Sequence, residues 1–217
     1  PMPKNRRLDA CAWTNVVADS MKDELGTQIA LINSANIRKV PKAGRLTERD
    51  VTESAPMKNK LLKTKVTQKQ LVEAIQNSAR KTMSDAEGVP GLLMVSGLTY
   101  KIDDKGNLLE LNYVDSEGKS TPIDVKNPSD SITYTAAYDN FVAQENGEYP
   151  ELHPKFGVEE FDFDKDSTMT KYLSRHANRH NLNIIDDKRI EILKTSQPTQ
   201  QGNNSRSFLG LTCPKVS

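Results

Sequence analysis

The sequence predicts a mixed α/β domain of the α+β class, in which helices pack on β-sheets. Two helix–strand units open the chain, five segments of alternating apolar character follow, and one further helix and strand close the pattern near residue 193. A length of 217 residues with a hydrophobic fraction of 35% is sufficient for a proper core. No apolar run approaches the roughly 18 to 20 residues that span a bilayer.

The first unit is a helix over residues 10–25 followed by a strand over residues 28–32. Apolar side chains recur every three or four residues of the helix and form one stripe. A polar loop over residues 33–36 follows the strand. A short helix is predicted to begin at Thr47, with Asp50 three residues later. The stripe of the first helix comprises Trp13, Val16, Val17, Met21 and Leu25.

The second unit is a strand over residues 61–66 followed by a long helix. Thr67 and Gln70 have the spacing of a capping box, in which each side chain satisfies a backbone N–H at the start of the helix. The apolar stripe of this helix comprises Leu71, Ile75, Ser78 with Ala79, and Thr82.

A change of period from about four to two marks the start of a strand meander. A helix over residues 168–180 and a strand over residues 189–193 follow it, and residues 194–217 are polar and predicted to form a mobile tail. The five strands of the meander are predicted at residues 92–96, 98–103, 108–114, 121–125 and 132–138.

Charge is distributed unevenly along the chain. The first 81 residues carry 16 basic against 8 acidic side chains, and the remainder carry 14 against 21. This asymmetry fits an anion-binding site in the first part, and equally an unevenly charged, solvated surface. A run of lysines between Lys58 and Lys69 lacks interleaved aromatic residues, so a solvated face is favoured over a nucleic-acid surface. A disulfide between Cys11 and Cys213 is disfavoured, because Cys213 lies in the polar tail.

Candidate metal ligands are sparse. His153 is isolated, whereas His176 and His180 are four residues apart, a spacing that places two ligands on one helix face. Both lie near an apolar stripe and a helix C-terminus, which favours a structural role. The acidic segment 162–166 resembles the start of a calcium loop but lacks the required glycine and final glutamate. An acidic strand edge with Phe161 and Phe163 facing inward is the favoured interpretation.

Catalytic motifs are likewise missing from the sequence. No serine occupies a nucleophile elbow, and the glycines between Gly88 and Gly97 lack the lysine of a phosphate-binding loop. The loop from Asn33 to Arg38 directly follows a buried strand, where ligands bind in α/β folds. Its amide and guanidinium groups are suited to ribose hydroxyls or to carboxylate and phosphate oxygens.

Several segments together resemble a known family. They are "ALINSANIR", "LTERDV", "APMKN", "VTQKQLVEAIQNSA", "VSGLTYKID", "YDNFVA" and "TMTKYL…DDKRIEI". Their order and spacing are similar to those of the C-terminal domain of the 5'-nucleotidase / UDP-sugar hydrolase family. The resemblance covers roughly residues 6–193, so it implies one domain over residues 1–193 followed by the tail.

The resemblance implies a four-layer α/β/β/α arrangement and a role in recognition. In that family this domain grips the nucleotide, while a separate N-terminal metallophosphatase domain holds two divalent metal ions and performs hydrolysis. The motifs of that catalytic domain do not occur in this sequence, which opens Pro-Met-Pro-Lys-Asn, so we expect them in a preceding segment. No cofactor is expected on this chain. The family also implies a periplasmic, secreted or surface location.

The resemblance assigns substrate-binding positions residue by residue. Asn33 and Arg38 match the polar positions of the substrate loop, and Arg7, with Arg6 as the alternative, matches an arginine before the first helix. Phe141 matches one of two aromatic residues that sandwich the base. No catalytic residue is assigned to this chain.

Three positions depart from the family pattern. Met57 replaces the partner aromatic residue, and a thioether offers no matched π-face. Gly147 replaces an aspartate that contacts the ligand, with Glu148 as the nearest substitute, and Asn36 occupies a position that is usually glycine. The alternative to a nucleotide-recognition domain is therefore a non-catalytic ligand-binding or interaction module on the same scaffold.

Overall fold

The computed structural model describes residues 12–42, 44–84, 91–176 and 188–194. Within these ranges the chain forms four α-helices and two mixed β-sheets. The helices are α1 (Ala12–Leu25), α2 (Glu48–Ser54), α3 (Gln68–Ser84) and α4 (Lys165–His176). The strands are β1 (Ile29–Asn33), β2 (Leu61–Thr67), β3 (Leu93–Ser96), β4 (Leu98–Asp103), β5 (Leu108–Val114), β6 (Ser120–Ile123), β7 (Thr133–Asp139), β8 (Glu159–Phe161) and β9 (Ile190–Leu193). No described helix is long and apolar enough to cross a membrane.

Both predicted helix stripes are confirmed. All five stripe residues of α1 are buried, and so are all five of α3. The predicted capping box of α3 also forms: Thr67 N donates to Gln70 Oε1 and Gln70 N donates to Thr67 Oγ1, each over 3.1 Å. Thr47 and Asp50 form the same reciprocal arrangement at the start of α2. These local signals fix where the helices begin.

The larger sheet contains five strands in the order β3-β1-β7-β2-β8. β1 and β7 run parallel, and the other neighbours are antiparallel. All five residues of β1 are buried, so both faces of this strand are covered. Helices α1 and α4 pack together, and α1 contacts strands β1, β3 and β7. This sheet therefore lies at the centre of the fold.

The smaller sheet contains four strands in the order β6-β5-β4-β9, with β4 and β9 parallel. Helix α3 contacts strands of both sheets, and its Gln76 Nε2 donates to Gly106 O over 2.7 Å in the turn between β4 and β5. The mixed α+β class, with helices packed on two sheets, is confirmed.

Three buried tyrosines close the core with hydrogen bonds to backbone carbonyls. The hydroxyls of Tyr100, Tyr138 and Tyr149 donate to the carbonyl oxygens of Leu93, Leu152 and Gly91 over 2.9, 2.8 and 3.1 Å. Burial raises the pKa of all three phenols, so they remain neutral donors at physiological pH. Each bond satisfies two polar groups that would otherwise be costly to bury.

The last helix begins three residues earlier than predicted. Asp164 stabilises its first turn, because Ser167 N donates to Asp164 Oδ1 over 3.3 Å. Because the residues of this first turn are mostly polar, apolar periodicity does not show that the helix includes them. The predicted acidic strand edge over residues 162–166 is confirmed only in part, because β8 ends at Phe161 and α4 begins at Lys165. β8 lies at the edge of the larger sheet, and Phe161 and Phe163 are partly buried against the core. Residues 177–187 and the tail from residue 195, with Arg7, Cys11, His180 and Cys213, lie outside the described residues.

Candidate functional site

Five connecting segments meet on one side of the larger sheet, where its strands begin or end. β1 and β7 are parallel, so their carboxyl ends lie together. Antiparallel pairing aligns Leu93 with Asn33, Asp139 with Leu61, and Leu61 with Phe161. The starts of β2 and β3 and the end of β8 therefore lie at the same edge. We call this region, formed by residues 33–38, 55–60, 91–92, 139–149 and 162–165, the loop edge.

Asn33 shapes the first segment of the loop edge from within. It is 2% exposed, and its Oδ1 accepts a hydrogen bond of 2.7 Å from Ala35 N, which caps a 3-10 turn over Ser34–Asn36. Arg38 follows this turn half-buried, and its backbone N donates to Ser54 O of α2 over 2.8 Å. The backbone at both ends of this predicted loop is therefore held by hydrogen bonds.

Gly91 approaches this loop more closely than any other residue type could. A Cβ at position 91 would lie 2.5 Å from Ser34 Oγ and 2.9 Å from Asn33 Oδ1, and the φ of Gly91 is +99°. Both the contact and the backbone conformation require glycine. Ser34 N donates to Leu92 O over 3.0 Å, so the segment before β3 is joined to the loop directly.

Met57 and Phe141 lie on two adjacent segments of the loop edge. Met57 is 38% exposed, whereas Phe141 is half-buried and packs against the core. Asn140 N donates to Lys60 O over 3.0 Å, which joins the segment before β2 to the segment after β7. Met57 and Phe141 therefore both lie at the loop edge, as Arg38 does.

Glu148, the nearest predicted substitute for the aspartate of the family, directly follows a tight turn. Gly147 N donates to Gln144 O over 3.1 Å, and a Cβ at position 147 would lie 2.8 Å from Gln144 Cβ. An aspartate at position 147 would thus require this turn to move. Glu148 is partly exposed, and the next residue, Tyr149, is anchored to the carbonyl of Gly91.

Asp139 connects these segments, although no sequence pattern predicts a role for it. It is fully buried at the end of β7, and its Oδ2 accepts from Asn36 Nδ2 at 3.2 Å and from Asn59 Nδ2 at 3.1 Å. Lys165 Nζ at the start of α4 donates to the same oxygen over 2.7 Å. Asp139 Oδ1 accepts from Val142 N over 3.0 Å. The motif "YDNFVA" contains this aspartate, but only the fold reveals its partners.

Acidic residues beside the loop edge pair with lysines. Lys58 forms salt bridges with Asp164 and Asp166, and Lys60 lies 2.9 Å from Glu160. Burial acts to raise the pKa of Asp166. Hydrogen bonds that Lys58 and Thr52 donate to its carboxylate, together with the positive charge of Lys58, help to outweigh burial and lower the pKa to about 2. The first two lysines of the basic run are thus occupied by carboxylates.

No group of three or more potential metal ligands occurs within the described ranges. His176 stacks on Tyr172 with ring centroids 4.1 Å apart, and its Nδ1 lies 2.9 Å from Tyr172 O. His153 Nδ1 lies 3.0 Å from Ala143 O. Both described histidines therefore have local structural partners.

A cavity of about 580 Å³ lies away from the loop edge, at the C-terminal end of α1. Lys22, Gly26, Tyr113 and His176 are among its lining residues, and none of the predicted substrate-binding residues that the structure describes is among them. Its lining mixes both charges, and Arg189 there pairs with Asp19 over 2.7 Å. Volume alone does not identify a site, so we give more weight to the converging segments of the loop edge.

Comparisons with known proteins agree with this fold. The model of the 5'-nucleotidase, C-terminal domain family matches residues 2–153. No match was found among curated protein sequences.

Among solved structures, the chain is similar to a 5'-nucleotidase precursor from Thermus thermophilus, with 26% identity and a TM-score of 0.69 over 83% of this chain and 35% of that one. A NAD nucleotidase from Haemophilus influenzae shares 14% identity and a TM-score of 0.73, covering 90% and 36%. A sulfate thiohydrolase from Thermus thermophilus shares 13% identity and a TM-score of 0.58, covering 92% and 34%.

The chain spans about a third of the length of these three proteins. The similarities to the NAD nucleotidase and to the sulfate thiohydrolase show the fold alone. The family model, in contrast, covers more than half of this chain. The chain belongs to the family of 5'-nucleotidase C-terminal domains.

Proposed function

We propose that this chain is the substrate-recognition domain of a 5'-nucleotidase-like metal-dependent phosphohydrolase that acts on nucleotides or related phosphoesters. Hydrolysis belongs to a separate N-terminal metallophosphatase domain, which holds the divalent metal ions. Family membership and the fraction of the related proteins that this chain spans support this division. By the same family reasoning, we propose a periplasmic, secreted or surface-attached location.

The convergence of the loop edge is the observation that carries the proposal. It brings the segments of Arg38, Met57 and Phe141 to neighbouring strand ends. A guanidinium binds phosphate or carboxylate oxygens, and an aromatic ring stacks on a base with about 1–3 kcal/mol. In this proposal Arg38 contacts the anionic or ribose part, and the base lies between Phe141 and Met57.

Three further residues complete the proposed site. Asn33 shapes the substrate loop that leads to Arg38 through Oδ1, Arg7 adds a second guanidinium, and Glu148 accepts hydrogen bonds in place of the aspartate of the family. A carboxylate accepts from ribose hydroxyls, which suits a nucleoside-type ligand.

Calorimetric titration with adenosine, AMP and uridine tests the proposal. We expect saturable binding of at least one of them, and a loss of about tenfold or more in Phe141→Ala, since a stacking contact is worth about 1–3 kcal/mol. Phe156→Ala is the matched control, because Phe156 is 41% exposed and precedes β8 at its other end. Equal affinity in Phe141→Ala would contradict the proposed base contact.

A second candidate function is a non-catalytic interaction module on the same scaffold. The crowding of position 147 against Gln144 and the thioether at position 57 favour it, since both alter the expected ligand contacts. If the folded chain binds none of the three ligands, this candidate replaces the first.

A further inference from the structure

One buried carboxylate oxygen receives donors from three separate parts of the chain. Asn36, Asn59 and Lys165 all donate to Asp139 Oδ2 over 2.7–3.2 Å. We propose that Asp139 is the positioning residue of the loop edge, which fixes the segments that carry the recognition residues relative to one another. This inference rests on the proposed function for its consequence in binding.

The tether to Asn36 holds the first segment. Asn36 is the last residue of the 3-10 turn between Asn33 and Arg38, and it is 7% exposed. Its amide is the only side-chain link that the structure describes between this turn and Asp139. The family pattern has glycine at this position, so the tether is a feature of this chain.

The other tethers hold the remaining segments. Asn59 lies two residues after Met57, so the second amide restrains the segment before β2. Val142 N donates to Asp139 Oδ1 in the residue directly after Phe141. Each of the three segments is thus bound to one carboxylate within a residue or two of a recognition residue.

A carboxylate with a counter-charge is suited to this role. It accepts at both oxygens and can hold all four donors, whereas an amide would turn a donor toward one of them. Lys165 supplies the positive charge, and the side chains of both Lys165 and Asp139 are 0% exposed. A carboxylate without solvent access cannot contact the ligand, so it acts through the segments it holds.

The test removes one tether at a time and leaves the buried pair in place. Asn36→Ala and Asn59→Ala each delete one amide. Asn107→Ala is the matched control, because Asn107 Nδ2 donates to the carboxylate of Asp103 over 2.7 Å in the turn between β4 and β5. The readouts are thermal unfolding, amide hydrogen exchange and calorimetric titration with AMP.

We expect faster exchange of residues 33–38 and 55–60 in the two variants, with a shift in unfolding temperature similar to that of the control. AMP affinity falls about tenfold in both variants and is unchanged in the control. Unchanged exchange at the loop edge would overturn the proposal. So would unchanged AMP affinity in a variant with faster exchange.

The two proposals fail differently. If the wild-type chain binds none of AMP, adenosine and uridine, the proposed function fails, and the exchange measurement alone decides the role of Asp139. Faster exchange confined to the loop edge then supports the positioning role. Exchange that rises equally throughout both sheets would show a purely global stabilising role and would contradict it.

Discussion

Lys165 Nζ lies 2.7 Å from Asp139 Oδ2, and both side chains are fully shielded from solvent. The pair joins the start of α4 to the end of β7 at the loop edge. Removing one member of a buried pair leaves an uncompensated charge, which costs more than the pair itself contributes. This asymmetry gives the first prediction.

Lys165→Met is expected to lower the free energy of unfolding by about 3–5 kcal/mol, because Asp139 is then buried without a counter-charge. The double variant that adds Asp139→Asn removes both charges and recovers more than half of the loss. Urea unfolding followed by circular dichroism measures both. A double variant less stable than Lys165→Met would show that the hydrogen bonds of Asp139 outweigh its charge.

Because Gly91 lies so close to Ser34, we expect a single added methyl group to lower the free energy of unfolding substantially. Gly91→Ala places its Cβ 2.5 Å from Ser34 Oγ at a φ of +99°. Gly118 has a φ of +81° with nothing within 4 Å of its Cβ, so Gly118→Ala reports the backbone strain alone. We expect about 1 kcal/mol of destabilisation at position 118 and at least about 2 kcal/mol at position 91. Equal losses in urea unfolding would show that the loop adjusts freely.

A bidentate ion pair joins α1 to Arg189, the residue directly before β9. Arg189 donates to the two carboxylate oxygens of Asp19 over 2.7 and 2.8 Å and to Val95 O over 3.0 Å. Arg189→Lys cannot reproduce this geometry and is expected to cost about 1.5–3 kcal/mol. Arg49→Lys changes an exposed pair with Glu53 that solvent screens, so it is expected to leave the unfolding temperature nearly unchanged. Thermal unfolding compares the two variants, and similar losses would contradict the prediction.

Asp166 makes the fold sensitive to acid. Its pKa falls from 3.8 to about 2 in the folded chain, so the unfolded state binds its proton first. The stability from this group is present above about pH 4 and is lost as the pH falls toward about 2. After allowance for solvent screening, this amounts to about 1–2 kcal/mol. Urea unfolding at about pH 5, above this window, and at about pH 2.5, near its lower end, should show a smaller loss in Asp166→Asn than in wild type. An equal loss would assign the acid sensitivity to other carboxylates.

Local patterns predicted most of the secondary structure. The stripes of α1 and α3, the two capping boxes and the bounds of β4 and β5 follow from periodicity and from side chains three or four residues apart. The start of α4 and the bounds of β6 differ from the predicted ones, because polar residues there conceal the period. Such signals are local, so they require no knowledge of the tertiary fold.

The arrangement of the candidate site could be predicted only in part. The resemblance pointed to the segments of Asn33, Met57 and Phe141, but their convergence depends on the pairing of β1 with β7. Asp139 and Lys165 are 26 positions apart, and a fully buried lysine in an acidic segment contradicts what its composition suggests. Long-range pairing of polar groups has no period that a sequence pattern can show.

Mapping AMP binding by amide chemical shifts tests the central claim, recognition at the loop edge, most directly. A titration followed by ¹⁵N–¹H correlation spectra is expected to shift the amides of Ala35, Arg38 and Phe141 saturably, with no change around Lys22 and Gly26 at the cavity beside α1. Shifts confined to that cavity, or none at AMP concentrations that saturate a nucleotidase, would contradict recognition at the loop edge.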